Sequence, residues 1–372
     1  MKSRVMIDAC DPCLRRAFLV AHLAPRIAGL LDRPSGRVAG LLALSDEAFV
    51  AAAAGESADD AWAFVEALDL DAMRKALSHV EALAVCRHGG EYPPLLQQLA
   101  DPPAALFGLG SARALRALRE EPAVAVVGTR RASPYGAEVA YALGRGLGAA
   151  GVPVVSGLAL GIDGTAHRGC LDGNGLPVAV LACGPDVVYP RRHRRLYERI
   201  RAEGIVLSEL PPGSRPFRWS FPARNRIMAG LARMTVVVEA AEPSGSLITA
   251  EFARDLGRAV AAVPGRVTSS FARGTNGLLR DGAVPVTATE DVLDELFGVG
   301  MRRPPPLSED RKLPGEPQLR AVLEAADRFG SVDSIAHETG LTAAETRSAL
   351  GRLEAEGYLV RRDLGGWELA AR

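Results

Sequence analysis

The segment from Val124 to Gly169 constrains the fold more than any other part of the chain. It holds two short β-branched runs, Val124–Val127 and Val152–Val155, and each ends in a turn of glycine and hydroxyl residues that opens a helix. After the first run come Gly128, Thr129, Arg130, Arg131 and Ser133, with Pro134 at the first helical position, where its missing N–H is no loss. After the second, Ser156, Gly157 and Gly161 lead into Ile162-Asp163-Gly164-Thr165-Ala166-His167. A strand that feeds a helix and then another strand is the unit of a parallel sheet. Two such turns at the carboxyl ends of neighbouring strands lie side by side, and the helix N-termini there favour an anion.

The strand and helix alternation continues downstream, which predicts an α/β fold with a Rossmann-like parallel sheet covered on both faces. Strands are expected at Val178–Ala182, Ile205–Ser208, Thr235–Glu239, Ala259–Val263 and Val284–Thr287. Helices are expected at Pro134–Ala149, Gly164–Asn174, Arg192–Glu203, Arg224–Ala232, Ser246–Gly257 and Asn276–Gly282. This domain spans residues 121–297. Ahead of it, residues 1–85 read as a helical domain, with helices around Cys13–Leu23, Ser35–Ala43, Asp46–Ala54 and Asp60–Val80. Residues 86–120 read as a connector with a short helix and a strand at Ala105–Gly108. The Pro211–Pro216 loop is expected near the site rim. Residues 298–317 hold five prolines and read as a linker. Residues 318–372 read as a winged helix: helices at Leu319–Phe329, Val332–Glu338 and Ala343–Glu356, then strands Tyr358–Arg362 and Trp367–Leu369 around Gly365-Gly366.

Charge is uneven although the 372 residues sum to zero. Residues 121–233 hold fifteen arginines against eight carboxylates, while residues 1–85 and 318–372 are net acidic. Local charge sets the field a ligand meets. No apolar run approaches the roughly 18–20 residues that span a bilayer, so no membrane association and a cytoplasmic location are expected. Of five scattered cysteines, only Cys10-Asp-Pro-Cys13 has a metal or redox spacing. It lacks the second pair a zinc site needs, so it reads as incidental, with neither metal nor cofactor expected. A P-loop is excluded because no lysine follows a glycine. The match of Gly146, Gly148 and Gly151 to GxGxxG ends a helix and precedes a strand, the reverse of a dinucleotide fingerprint.

Any one of the Gly/Ser turns is ordinary strand-to-helix chemistry. Four on one sheet edge are more than folding requires. The other two are Phe221-Pro222-Ala223-Arg224-Asn225-Arg226, with two arginines at an expected helix start, and Pro243-Ser244-Gly245-Ser246-Leu247-Ile248-Thr249. Six arginines between Arg191 and Arg201 extend the positive edge beyond the length of one nucleotide, which favours a polymer. Asp163 reads as a helix cap and His167 as making a local hydrogen bond, since no nucleophile with a fixed partner is recognisable. Glu239 reads either as a catalytic carboxylate or as a buried partner of Arg226 or a neighbouring arginine.

The motifs VAVVGTRRASPYG, SGLALGIDGTAHRG, CGPDVVYP, SELPPG, FPARNRIMAGL, VVEAAEPSGSLITAEFA, AVPG and GTNGLLRDGA, in that order, resemble those of the DprA/Smf family of bacterial DNA-processing proteins. The resemblance runs from about Tyr92 to Leu296. It implies a Rossmann-like domain that binds single-stranded DNA, dimerises, and loads RecA while displacing single-strand binding protein, with no enzymatic activity. By motif position the DNA-facing groups are Thr129, Arg130, Ser156, Gly157, Phe221, Arg224, Asn225 and Arg226. Ser244, Gly245 and Ser246 line the same pocket, Arg191 and Arg192 are further contacts, and Phe221 or Phe217 stacks on a base.

Relatives carry a SAM-like helical domain in front and a winged helix behind. Residues 1–85 lack the LPGIG-type hairpin of such helical domains. The third C-terminal helix sets Arg347 and Arg352 against Glu345, Glu354 and Glu356, so it is expected to contact protein more than DNA. A rival reading is a nucleotide hydrolase resembling the LOG and lysine-decarboxylase-like phosphoribohydrolases, with Glu239 catalytic; its PGGxGT turn is replaced here by PSGSLIT. A third reading, a transcriptional reader with the α/β domain as its sensor, suits the acidic helix least.

Overall fold

Valine-rich runs bounded by glycine become buried strands only when both faces are covered, and the computed structural model provides that cover. It describes residues 7–31, 38–303, 314–329, 331–356, 358–361 and 367–369. The strands are β1 (Leu83–Cys86), β2 (Ala105–Gly110), β3 (Val124–Val127), β4 (Val154–Ser156), β5 (Pro177–Val180), β6 (Ile205–Ser208), β7 (Met234–Val237), β8 (Ala259–Ala262), β9 (Val284–Pro285), β10 (Leu359–Arg361) and β11 (Trp367–Leu369). Before the sheet come α1 (Asp11–Leu31), α2 (Val38–Leu42), α3 (Asp46–Ala54), α4 (Ala58–Glu66) and α5 (Leu70–His79). Between and after its strands lie α6 (Ala112–Glu120), α7 (Pro134–Ala149), α8 (Ile162–Asp172), α9 (Arg194–Glu203), α10 (Ser220–Leu231), α11 (Gly245–Asp255), α12 (Arg273–Arg280) and α13 (Thr289–Phe297). The C-terminal helices are α14 (Pro317–Arg328), α15 (Val332–Thr339) and α16 (Ala343–Ala355).

Nine strands form one sheet in the order β1-β2-β6-β5-β4-β3-β7-β8-β9. The seven from β6 to β9 are parallel, and β1 and β2 add an antiparallel edge. From β3 the chain steps through β4, β5 and β6, then returns to the other side of β3 as β7. The order therefore reverses at β3, and in such sheets ligands bind in the crevice beyond the carboxyl ends of the strands at that point.

Side-chain alternation divides the strands between two cores. Val124, Val126 and Val154 face α7, α8 and α13, through Leu143, Leu147, Ile162, Ala166 and Val292. Ala125, Val127, Val155 and Val178 face α6, α10 and α11, through Leu115, Ile227, Met228 and Ala250. Glycines let α7 and α8 meet backbone to backbone: a Cβ on Gly144 would stand 2.2 Å from the Ala166 carbonyl, and one on Gly169 2.1 Å from that of Tyr141. Of the glycines in the spurious fingerprint, Gly148 belongs to the same packing, while Gly146 faces the Thr289 side chain at the start of α13. A Cβ on Gly148 would lie 2.7 Å from the Cys170 carbonyl.

The N-terminal half differs from expectation. The long helix at Asp60–Val80 is two helices, α4 and α5, because Asp69 caps a new start by accepting the Ala72 N–H at 2.9 Å. The boundary set at residue 85 falls inside β1, and the connector supplies β2 and α6 to the sheet. The helices share cores with that sheet: Leu14 and Leu77 pack with Phe107, while Leu23, Ile27 and Phe49 pack with Leu210 and Trp219, whose indole N–H donates to the Ala24 carbonyl at 3.0 Å. Phe217, expected as a stacking residue, packs in that second cluster. The Pro211–Pro216 loop lines a cavity with Ala21, Ala24 and Pro25 of α1 rather than the rim of the crevice. Residues 35–37 of the second expected helix lie outside the described residues, as do residues 304–313 of the linker and Gly365-Gly366.

The described residues form two compact units, divided between Pro305 and Pro306. In the second, α14, α15 and α16 enclose Leu319, Leu323, Ile335, Leu350 and Leu353, and β10 pairs antiparallel with β11. Among the described residues no helix is long and apolar enough to cross a membrane.

Candidate functional site

The crevice at the β3 reversal is a cavity of ≈ 360 Å³ lined from four chain segments: Val127–Arg130 after β3, Ala159 and Asp163 after β4, the Phe221–Met228 side of α10, and Pro243–Thr249 at the start of α11. Of the residues expected at the site, it brings together Thr129, Arg130, Phe221, Arg224, Asn225, Ser244, Gly245 and Ser246. At the mouth, the exposed Arg130 guanidinium carbon lies 5.1 Å from the centre of the Phe221 ring. Tyr189, 41% exposed, approaches the same ring with centroids 5.6 Å apart. Sequence reasoning missed Tyr189; its signal was an aromatic residue directly before the proline that opens the arginine run.

The floor is built on Arg224. Its Nη1 donates to the carbonyls of Gly157 at 2.6 Å and Val180 at 2.8 Å, tying the ends of β4 and β5 together. A Cβ at Gly157 would fall 1.9 Å from that nitrogen, so any side chain there would displace the guanidinium. Burial lowers the Arg224 pKa, and neighbouring Asp163 opposes the fall; burial raises Asp163, whose carboxylate accepts the Gly157 N–H at 3.2 Å. Asp163 thus holds a turn rather than the helix cap, which is Gly161. Two buried side-chain atoms of the cavity residues, Arg224 Nε and Thr249 Oγ1, have no hydrogen-bond partner in the protein. Asn225 donates to the Gly245 carbonyl at 3.1 Å, and the Ser244 and Ser246 hydroxyls meet at 2.8 Å, which fixes the α11 N-terminus at the wall.

Three expected contacts lie elsewhere. α10 begins at Ser220, so Arg226 is in the helix interior and not at its start. It is 2% exposed and ion-paired to Asp101 at 2.9 Å and Glu209 at 2.7 Å, outside the cavity lining. Burial alone would lower its pKa, but the two carboxylates raise it. Ser156 is 0% exposed and donates to the Val126 carbonyl at 2.6 Å. Gly157 is buried beneath Arg224. Arg191 and Arg192 precede α9 and are exposed, as are Arg194 and Arg195, and none has an ion pair among the described residues. Their segment is held by His193, whose Nδ1 lies 3.0 Å from the Leu158 carbonyl.

Glu239 is neither free nor a partner of Arg226. Its carboxylate accepts the Ser133 N–H at 2.9 Å and hydroxyl at 2.5 Å, and so occupies the α7 N-terminus that seemed open to phosphate. It does not line the cavity, which removes the hydrolase reading's catalytic group. His167 is fully buried, and burial holds its pKa down at about 3 against the opposing effect of a hydrogen bond to the Ser156 backbone.

A doubly covered, mostly parallel sheet with its ligand crevice at the topological switch point defines a Rossmann-like α/β protein. Residues 84–297 match the profile of the family described as DNA recombination-mediator protein A. The chain belongs to this family, the DprA/Smf DNA-processing proteins. It is 44% identical over 275 residues to the putative DNA processing protein DprA of Mycobacterium tuberculosis, covering 72% of this chain and 69% of that one. Against protein Smf of Escherichia coli K12 it is 37% identical, covering 72% of each. The X-ray structure of DprA from Streptococcus pneumoniae superposes with a TM-score of 0.62 at 32% identity, over 78% of this chain and 99% of that one. A Helicobacter pylori DprA structure, described for its single-stranded DNA binding mode, gives a TM-score of 0.52 at 30% identity, over 59% of this chain and 97% of that one.

Proposed function

We propose that the chain binds single-stranded DNA along the edge from the β3 cavity to Arg191–Arg195, and that it acts as a homodimer that hands the strand to RecA while displacing single-strand binding protein, without catalysing a reaction. The observation that carries the DNA reading is the pair of unpartnered donors at the cavity, Arg224 Nε and Thr249 Oγ1. A buried donor left unpaired costs about 1–3 kcal/mol, and an oxygen of a bound phosphate or base recovers it. At the mouth, Arg130, Phe221 and Tyr189 form a cationic stacking surface suited to a base of any identity. The unpaired arginines beyond it give the positive track a strand requires.

In this reading Thr129, Arg130, Phe221, Arg224, Asn225, Ser244, Gly245 and Ser246 contact the strand in the cavity, and Arg191 and Arg192 contact it along the edge. Ser156 and Gly157 act by shaping the floor, and Arg226 by anchoring α10 to Asp101 and Glu209. Handover to RecA, displacement of single-strand binding protein, the dimer and the cytoplasmic location rest on the family resemblance. The C-terminal unit is a winged helix that meets protein rather than DNA. Of the two arginines on its α16, Arg352 is spent on Glu316, at 2.8 and 2.9 Å, leaving an acidic surface.

The test is anisotropy of labelled oligo-dT at several salt concentrations, with the natural chain and the Arg130→Ala, Phe221→Ala double variant. Tight, salt-sensitive binding that the variant loses supports the reading. Failure of the natural chain to bind oligo-dT at low salt overturns it.

A further inference from the structure

Cys10-Asp-Pro-Cys13 lacks a second ligand pair nearby in the chain, but the fold supplies one. Cys86 is the last residue of β1, and His88 stands two residues beyond it. The segment before α1 runs against this strand: the N–H groups of Asp8 and Ala9 donate to the Ala84 carbonyl at 2.8 and 3.1 Å. Cys10 precedes α1 and Cys13 lies in its first turn. One ligand atom from each of Cys10, Cys13, Cys86 and His88 therefore lies within 4.8 Å of all the others. Three of the chain's five cysteines and one of its six histidines meet at this point.

Three of the six ligand-to-ligand spacings are close to those of a tetrahedron, and the rest lie within 4.8 Å. Cys10 Sγ is 3.7 Å from Cys86 Sγ, and the sulfurs of Cys10 and Cys13 are each 3.4 Å from His88 Nδ1. With Zn–S near 2.3 Å and Zn–N near 2.0–2.1 Å, a tetrahedral ion holds sulfurs about 3.8 Å apart and sulfur and nitrogen about 3.6 Å apart. A disulfide instead needs sulfurs about 2.05 Å apart, and all five cysteines are free. The Cys10 N–H donates to Cys86 Sγ at 3.4 Å, which stabilises charge on that sulfur. The turn carrying His88 is pressed against the strand: a Cβ on Gly89 would stand 2.5 Å from the Asp8 carboxylate. Cys13 and Cys86 are buried, while His88 closes the cluster on the solvent side.

We propose that Cys10, Cys13, Cys86 and His88 bind one zinc ion in a closed Cys₃His site that fastens α1 to the edge strand β1. Soft thiolates in a tetrahedral arrangement select zinc over magnesium or calcium. Four protein ligands leave no open position, so the ion is structural. Each thiol gives up its proton as the metal enters, releasing three protons per ion with no change of oxidation state.

The test is metal analysis of the full chain purified under reducing conditions, followed by replacement of the metal with cobalt. One zinc per chain is expected, and the cobalt form should show sulfur-to-cobalt charge transfer and the strong visible bands of a tetrahedral site. The exposed His88 makes His88→Ala a variant that folds. It should lose zinc to a competing chelator at least about tenfold more readily, a size of effect found even for groups that only orient a ligand. His88→Cys should keep the metal and intensify the charge-transfer band. Zinc held no more tightly by the natural chain than by His88→Ala overturns the proposal, as does a Cys10–Cys13 or Cys10–Cys86 disulfide in the reduced, metal-supplied protein.

Discussion

Arg226 in the interior of α10 and Arg191 and Arg192 ahead of α9 carry the same charge in opposite settings. Arg226 is enclosed between Asp101 and Glu209, and its charge is answered inside the protein. Arg191 and Arg192 are exposed and without ion pairs among the described residues, so their charge is directed outward. Arg224 lies between the two cases: it is buried and bonded through Nη1, but its left-over Nε belongs to a cavity residue, whereas the left-over Nη1 of Arg226 does not. A count of arginines in the sequence treats all of these alike. The partner, and not the residue type, decides whether an arginine builds the protein or serves a ligand.

The interior half of this comparison is broken most directly at Arg226. Arg226→Ala leaves two buried carboxylates without a cation, and losing one side of a buried ion pair costs about 3–5 kcal/mol. Urea unfolding should register that loss, and any weakening of DNA binding should follow the folded fraction. A loss below about 1 kcal/mol, within the range of an exposed pair, would dissolve the distinction.

His167 tests the same interior rule with a buried group that has no opposite charge beside it. Burial lowers its folded-state pKa from 6.5 to about 3. Below pH 6.5 the unfolded chain therefore takes up a proton that the native state refuses. The stability tied to this residue is complete above about pH 6.5 and is lost as the pH falls towards 3. Between pH 7 and pH 4.5 that amounts to about 2–3 kcal/mol. Burial raises the pKa of Asp101, Asp163 and Glu209, so their protonation works in the other direction, and the measurement must be a difference. Unfolding of the natural chain and of His167→Leu at the two pH values isolates it. An equal drop in both chains would mean that His167 reaches solvent or a partner.

The rim is expected to respond in affinity and not in stability. Phe221→Ala removes the ring that Arg130 and Tyr189 approach, and loss of one stacked base weakens oligo-dT binding by about tenfold. The melting temperature should stay within a degree or two of the natural chain's, since Phe221 is only partly buried. A large fall in melting temperature with unchanged affinity would move Phe221 to the structural group.

How much of this was legible depended on the range over which each feature is determined. The parallel strands could be read because a strand covered on both faces is an uninterrupted apolar run. Helix α7 could be read residue for residue, because Ser133 and Pro134 mark its start locally. α10 could not. It begins at Ser220 with Pro222 inside the first turn, where a proline costs nothing, and four residues of error turned three interior residues into an expected N-terminus. β1 was hidden because Leu83–Cys86 follows a helix without a turn signal. The same omission hid the cysteine cluster, whose halves are 76 residues apart and meet only through the pairing of Asp8 and Ala9 with Ala84. The cavity turns were visible as motifs, but only the sheet order showed that Glu239 binds Ser133, the cap of α7, while Ser244–Ser246 line the wall.

The smallest effect bears on whether the ligand is a polymer. Arg191→Gln with Arg192→Gln keeps both side chains polar, though shorter, and removes two unpaired charges from the track. If each neutralises one phosphate, binding at low salt weakens modestly, and the slope of log affinity against log salt becomes shallower by about 1.4, some 0.7 per contact on a single strand. The slope is the informative quantity, because it counts the phosphates neutralised, and Arg191 and Arg192 lie outside the cavity lining. An unchanged slope with unchanged affinity would shorten the binding edge to the cavity itself, and the exposed arginines would then be a solvated helix face. A shallower slope would leave Arg226 and Arg192 as the two extremes of one residue type, the first measured by unfolding and the second by counterions released.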